Sequence, residues 1–216
     1  MDAPIVLNPT TFGNLITLEG IDGSGKTTHI PLIKTLLEQT GKTVQITREP
    51  GGTVLGEELR QIILKPRAAS IENISELLLL AAARAEHVAK YIKPALNQGK
   101  WVVCDRFSDA SRAYQGGGCK IDSKIIAIVE KIVLGDIYPN LTLLFDVPVE
   151  IALARTKSRN QLVDRFESED IAFFERVRQA YLNIAALEPC RIKVIDTVQS
   201  LPKVQSAIAK VMHEFC

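Results

Sequence analysis

The segment Gly20-Ile21-Asp22-Gly23-Ser24-Gly25-Lys26-Thr27 fits the pattern G-x-x-x-x-G-K-[ST], and no other feature limits the fold of this chain as tightly. The pattern requires a strand before it and a helix behind it. An apolar run at Leu15–Glu19 and a helical pattern over Lys26–Gln39 supply both. In that setting the glycines let backbone N–H groups turn inward around phosphate oxygens, and the start of the helix adds positive potential. Lys26 offers a point charge to the β and γ phosphates, while the Thr27 hydroxyl reaches toward Mg²⁺. All eight positions, Gly20, Ile21, Asp22, Gly23, Ser24, Gly25, Lys26 and Thr27, are thus candidate nucleoside triphosphate ligands.

Four more apolar runs, Thr43–Arg48, Trp101–Asp105, Leu141–Asp146 and Arg191–Asp196, alternate with helical patterns. The predicted helices are Glu57–Leu64, Ser75–Leu96, Ser123–Val133, Val149–Ser158, Glu169–Leu187 and Pro202–Met212. Alternation of this kind predicts an α/β fold with a parallel sheet and helices on both faces. No repeat, low-complexity tract or linker divides the 216 residues, so one domain over 1–216 is expected. A net charge of +1 provides no long-range field for nucleic acid or an anionic membrane, so phosphate binding has to be local. The start of the chain lacks the charged and apolar regions of a leader, and no run approaches the ~18 apolar residues of a membrane span. The four cysteines form no zinc-type pattern. A cytoplasmic protein is the expectation.

In such folds ligands gather at the carboxyl ends of the strands. The third run ends Asp105-Arg106, placing a carboxylate where a metal ligand is needed. The second ends Arg48-Glu49-Pro50-Gly51-Gly52, a sharp turn that holds another arginine at the same edge. Guanidinium groups bind phosphate through paired N–H donors, so Arg48 and Arg106 predict a clamp on an acceptor that already carries a phosphate. Such an acceptor needs no general base. This favours a nucleoside monophosphate kinase.

The loop GIDGSGKTT, the turn TREPGGT, the segment DRFSDASRAYQGGG from Asp105 to Gly118 and the tetrapeptide DRFE from Asp164 to Glu167 occur in an order and spacing that resemble the bacterial thymidylate kinases. The resemblance covers the chain from about Leu15 to its end. It implies a P-loop NTPase fold with sheet order 2-3-1-4-5, a homodimer, and transfer of a phosphoryl group from ATP, with Mg²⁺, to thymidine monophosphate. It further implies that Asp22 approaches the deoxyribose 3′-hydroxyl, that Arg48 and Arg106 hold the acceptor phosphate, and that Arg84 reads the thymine O4. Ser111, Tyr114 and Gln115 would lie against base and sugar, although Tyr114 reads equally well as core. A mobile lid at about 155–167 would bring a cation over the transferred phosphate. Positions 21–24 contain no arginine, so Arg159 is the lid candidate, with Arg155 and Arg165 behind it. Lys26, Arg106, Arg159 and Asp22 are therefore the expected catalytic set, and Thr27 and Asp105 the metal side.

The chain departs from the family pattern at Leu80, where a phenylalanine commonly stacks on the base, and at Ala83, which stands for a frequent aspartate. The lid is about one residue longer before Asp164. The first dozen residues acquire no role, and no residue set reads the donor base. Two other readings stay open. A deoxynucleoside kinase would need a carboxylate base, for which Glu49 is the candidate, and a nucleotide-binding protein without turnover would need neither the lid nor the arginines.

Overall fold

Strand β1 (Leu15–Glu19) is buried at every position and pairs in parallel with both β3 (Trp101–Asp105) and β4 (Leu141–Asp146). Strands β2 (Val44–Arg48) and β5 (Ile192–Asp196) complete the sheet at its edges, where fewer positions are buried. The order is β2-β3-β1-β4-β5, all parallel, as the family resemblance implies. Near-continuous apolar strands are the expected composition of a sheet covered on both faces. Side-chain alternation divides that core: Ile16, Leu18, Val103, Leu143 and Phe145 meet α1 (Lys26–Gln39) and α9 (Leu201–Phe215) on one face. Leu144 and Ile192 meet α8 (Ile171–Leu187) on the other. The computed structural model describes residues 12–157 and 169–216.

Three segments differ most from the sequence reading, and α9 also runs three residues past its expected end at Met212. Helix α2 (Val54–Leu64) begins three residues earlier than expected, because the Thr53 side chain caps it by accepting the Gly56 N–H at 3.0 Å. The single helix expected over Ser75–Leu96 is three pieces: α3 (Asn73–His87), a π-helical turn at Val88–Ile92, and α4 (Lys93–Asn97). Pro94 explains the break. It has no N–H and crowds the carbonyl four residues back, and the Lys93 N–H instead bonds Val88 O, five residues back. Finally, Ser108–Gly118 is helical, as α5 (Ser108–Ser111) followed by a π-helical stretch, Arg112–Gly118. Its Gly117 and Gly118 lie so close to Ala180 and Phe173 of α8 that an added methyl would sit 2.5 Å from either side chain.

Helices α6 (Ser123–Leu134) and α7 (Val149–Lys157) complete the described elements. No described helix is long and apolar enough to cross a membrane. The carboxyl ends of β1, β2 and β3 converge, and the polar residues of the site gather there.

Candidate active site

Gly25 caps α1 at φ 98° and Gly23 turns at φ 80° against the Ala152 backbone, so the loop after β1 closes tightly only with glycine at these positions. Lys26 folds back across it, donating from Nζ to Gly20 O at 2.9 Å and Ile21 O at 3.0 Å. Burial, helped by the nearby Arg106 cation, pulls its ammonium down to about 8. Thr27 donates from Oγ1 to Asp105 Oδ2 at 3.1 Å, so the two residues expected on the metal side do meet. The other oxygen, Asp105 Oδ1, is buried without a hydrogen-bond partner, as is Ser24 Oγ. An unmet carboxylate oxygen beside a threonine hydroxyl is a donor set that suits a hard divalent cation such as Mg²⁺.

One side of this loop opens onto a cleft lined by Asp22, Glu49, Pro50, Arg60, Leu64, Leu80, Arg84, Arg106, Ala110, Ser111, Tyr114 and Gln115. Arg106 stands where loop and cleft meet. Its guanidinium donates to Gly20 O (2.9 Å), Asp22 Oδ1 (2.7 Å), Tyr114 Oη (3.1 Å) and Tyr181 Oη (3.3 Å), and lies 4.9 Å from the centre of the Tyr114 ring. The surroundings of Asp22 disfavour charge, yet Arg106 and Lys26 more than offset this and hold its carboxyl down to about 2. Tyr114 is both core and site: its ring is buried and its hydroxyl faces Arg106.

Arg84 lines the same cleft. Buried to 6 % exposure, it donates from Nε to Glu49 Oε2 at 2.6 Å, from Nη1 to Ser111 Oγ at 3.0 Å and from Nη2 to Phe107 O at 2.9 Å. His87 meets the other Glu49 oxygen at 3.0 Å and Thr47 Oγ1 at 2.7 Å. Glu49, His87 and Cys104 offer three metal-ligand types within 4.8 Å, but Arg84 and His87 already occupy both Glu49 oxygens. The grouping is a buried ion pair with its hydrogen bonds made. Gln115 donates to Glu76 Oε1 at 2.9 Å, and both are buried.

The expected pairing of Arg48 with Arg106 is not formed. Successive strand residues point to opposite sides, so where Glu49 turns inward to Arg84, Arg48 turns outward. Arg48 donates to Glu57 Oε2 at 2.9 Å and lines a separate cleft with Thr27, Asp105 and Tyr91. Arg159, Arg165 and Asp164 lie outside the described residues. Arg155 reaches Gly23 O at 3.4 Å and Thr197 O at 2.9 Å, on a third cleft that also contains Thr28, His29 and Gln199.

The sequence reading missed Arg60, Leu64 and Pro50 in the main cleft, together with Glu19 and Tyr181 beneath it. Glu19 had a visible signal, an acid ending an otherwise apolar strand next to the loop. Tyr181 had none, since an aromatic on a helix reads as core.

The model of the thymidylate kinase family matches residues 18–208. A thymidylate kinase from Alcanivorax borkumensis is 48 % identical over 202 residues, spanning 94 % of this chain and 97 % of that protein. The Pseudomonas entomophila thymidylate kinase is 50 % identical over 196 residues, covering 91 % of this chain and 93 % of the relative. A crystal structure of thymidylate kinase from Ehrlichia chaffeensis superposes with a TM-score of 0.74 at 38 % identity, covering 93 % of this chain and 99 % of that one. Sequence similarity along nearly the whole chain and the shared fold agree with the arrangement of loop, cleft and arginines, and place this chain in the thymidylate kinase family.

Proposed function

We propose that the chain transfers the γ-phosphoryl group of ATP to thymidine monophosphate, with the donor phosphates in the Gly20–Thr27 loop and the acceptor in the cleft between Arg106 and Arg84. The observation that carries this reading is that cleft: Arg106 lines it beside the phosphate loop, and buried Arg84 lines it together with Arg60 and the apolar side chains of Leu64 and Leu80. Arg106 takes the acceptor phosphate, and Arg84, steadied by Glu49 and Ser111, faces the thymine O4. Leu80 and Tyr114 flank the base and sugar, Gln115 and Ser111 supply polar contacts, and Asp22 approaches the 3′-hydroxyl. The acceptor oxygen is already anionic, so the protein orients it and offsets charge without removing a proton. Lys26 leaves its loop carbonyls for the β and γ phosphates. Thr27 and Asp105 would hold Mg²⁺, which when bound offsets phosphate charge. On the family resemblance, a lid at 155–167 adds the Arg159 cation.

Arg48, engaged with Glu57 in the neighbouring cleft, assists the acceptor only after exchanging that partner. Glu49 is committed to Arg84 and His87, which disfavours the deoxynucleoside kinase reading. We also propose a homodimer. Helix α6 buries Ile126 and Leu134 on one side and exposes Ile125, Ile128 and Ile132 on the other, while the neighbouring α3 exposes Ile74 and Leu78. The proposed location is the cytoplasm, a reading supported by four free cysteines.

A coupled assay with ATP, Mg²⁺ and a panel of nucleosides and monophosphates tests the activity. Thymidine monophosphate is the expected acceptor, and preferential use of a nucleoside would overturn the reading. Lys26→Ala lowers turnover by ~100-fold or more if its phosphate contacts contribute a few kcal/mol in the transition state.

A further inference from the structure

Glu19 ends β1 with its side chain completely buried, and it lines none of the three clefts. An apolar residue would fill that strand position without the penalty of desolvating a carboxyl group. What Glu19 contacts accounts for the exception. Its Oε1 accepts the Phe107 N–H at 2.7 Å, and its Oε2 accepts the Tyr181 hydroxyl at 2.7 Å. Tyr181 Oη in turn accepts from Arg106 Nη1 at 3.3 Å.

Arg106 itself has φ 68°, a left-handed conformation that a long side chain rarely adopts without outside support. Support comes from both sides of the residue. The Arg106 N–H bonds Leu18 O at 2.9 Å, and the next N–H, that of Phe107, bonds Glu19. One carboxyl group therefore holds the turn that aims Arg106 and, through a phenol on a distant helix, the guanidinium at its tip.

We propose that Glu19 is the positioning residue of the acceptor site, holding the left-handed Arg106–Phe107 turn directly and the Arg106 guanidinium through Tyr181. The proposal rests on the reading of Arg106 as the acceptor-phosphate ligand. Glu19 touches no substrate, and its effect is confined to how well Arg106 is placed.

Steady-state kinetics on Glu19→Ala, Glu19→Gln and Tyr181→Phe, with Arg106→Ala as reference and thermal melts as control, test it. Glu19→Ala takes the acceptor from both the Phe107 N–H and the Tyr181 hydroxyl and raises KM for thymidine monophosphate by roughly 10- to 100-fold, a range spanned by the cost of a buried donor without an acceptor, while KM for ATP stays within about twofold. Glu19→Gln keeps an acceptor toward Phe107 and stays within about threefold of wild type on the same scale. Tyr181→Phe leaves the ring in the core, removes the hydroxyl that links Arg106 to Glu19, and raises the acceptor KM by about 3- to 10-fold, the order of effect of a lost hydrogen bond to the guanidinium. Equal rises in both KM values, or equal losses in the Ala and Gln variants, would show a general structural role and overturn the proposal. Should Glu19→Ala not fold, an unchanged acceptor KM in Tyr181→Phe overturns it. If Arg106→Ala leaves the acceptor KM unchanged, the reading of Arg106 has failed; if that variant is impaired and the Glu19 variants are not, only the positioning role has failed.

Discussion

Lys26 and Glu19 are buried charges of opposite sign close to Gly20, and burial pushes each toward its neutral form. For Glu19, burial and the neighbouring Asp109 raise the carboxyl from 4.5 to about 8, against the pull of Arg106. The folded protein thus keeps a proton that the unfolded chain has released. Its contribution to stability is complete below about pH 4.5 and is lost as pH rises through about 8. The melting temperature of wild type relative to Glu19→Gln should therefore fall between pH 5 and 8 on that linkage, and a pH-independent difference in scanning fluorimetry would contradict the shift. Leu80 carries a second prediction. It lines the cleft near Arg84, where it gives the base apolar contact without a stacking ring. Leu80→Phe should lower KM for thymidine monophosphate by ~2- to ~10-fold with kcat little changed, because a stack worth ~0.5–1.5 kcal/mol acts in ground and transition states alike. If the surroundings have repacked around leucine, KM rises instead.

Among the segments, Ser108–Gly118 does the most to assemble the cleft. It sets Ser111, Tyr114 and Gln115 along one wall, and its glycines let it lie directly on α8. A Cβ at Gly118 would stand 2.5 Å from Phe173 Cε2 and 2.9 Å from Val177 Cγ2, both on a packed helix. Gly118→Ala should cost ~1–3 kcal/mol through overpacking, and should raise the acceptor KM while leaving that for ATP close to wild type. Denaturant melts and kinetics check the two parts separately. An unaffected acceptor KM with reduced stability would mean that the turn yields without moving Tyr114. Helix α1 differs in that its position follows directly from Gly25 and the strand before it, which is why its limits were readable in advance. The π-helical turn after α3 was not, because Pro94 permits several local solutions and packing chooses among them.

The assembled chain is joined on the α8 side by an ionic network in which Arg191 binds Asp109 and Glu188, and Arg112 binds Glu130 and Glu188. On another surface, α6 presents the exposed stripe Ile125, Ile128 and Ile132 at helical spacing. Ile128→Asp should halve the mass seen by light scattering if a second copy covers this stripe, and a dimer that survives the change would place the interface elsewhere. Local order was open to reading from the residues: glycine, lysine and threonine at fixed spacing, apolar runs of strand length, and acids at strand ends yielded the loop, the five strands and the choice of Thr27 and Asp105 as metal-side candidates, which the structure then brings into contact. Those features depend on residues that are neighbours in the chain or that end adjacent parallel strands. Leu80, Arg84, Ser111, Tyr114 and Gln115 were also found, through family resemblance, and the fold does bring them to one cleft. The partners chosen by each charge were not readable. Arg48 turns to Glu57, Glu49 to Arg84, and Glu19 to a tyrosine 162 positions away. Each choice depends on which side of the pleat a residue occupies and on which helix is packed above it, and long-range packing, unlike local periodicity, leaves no spacing in the chain from which to read it.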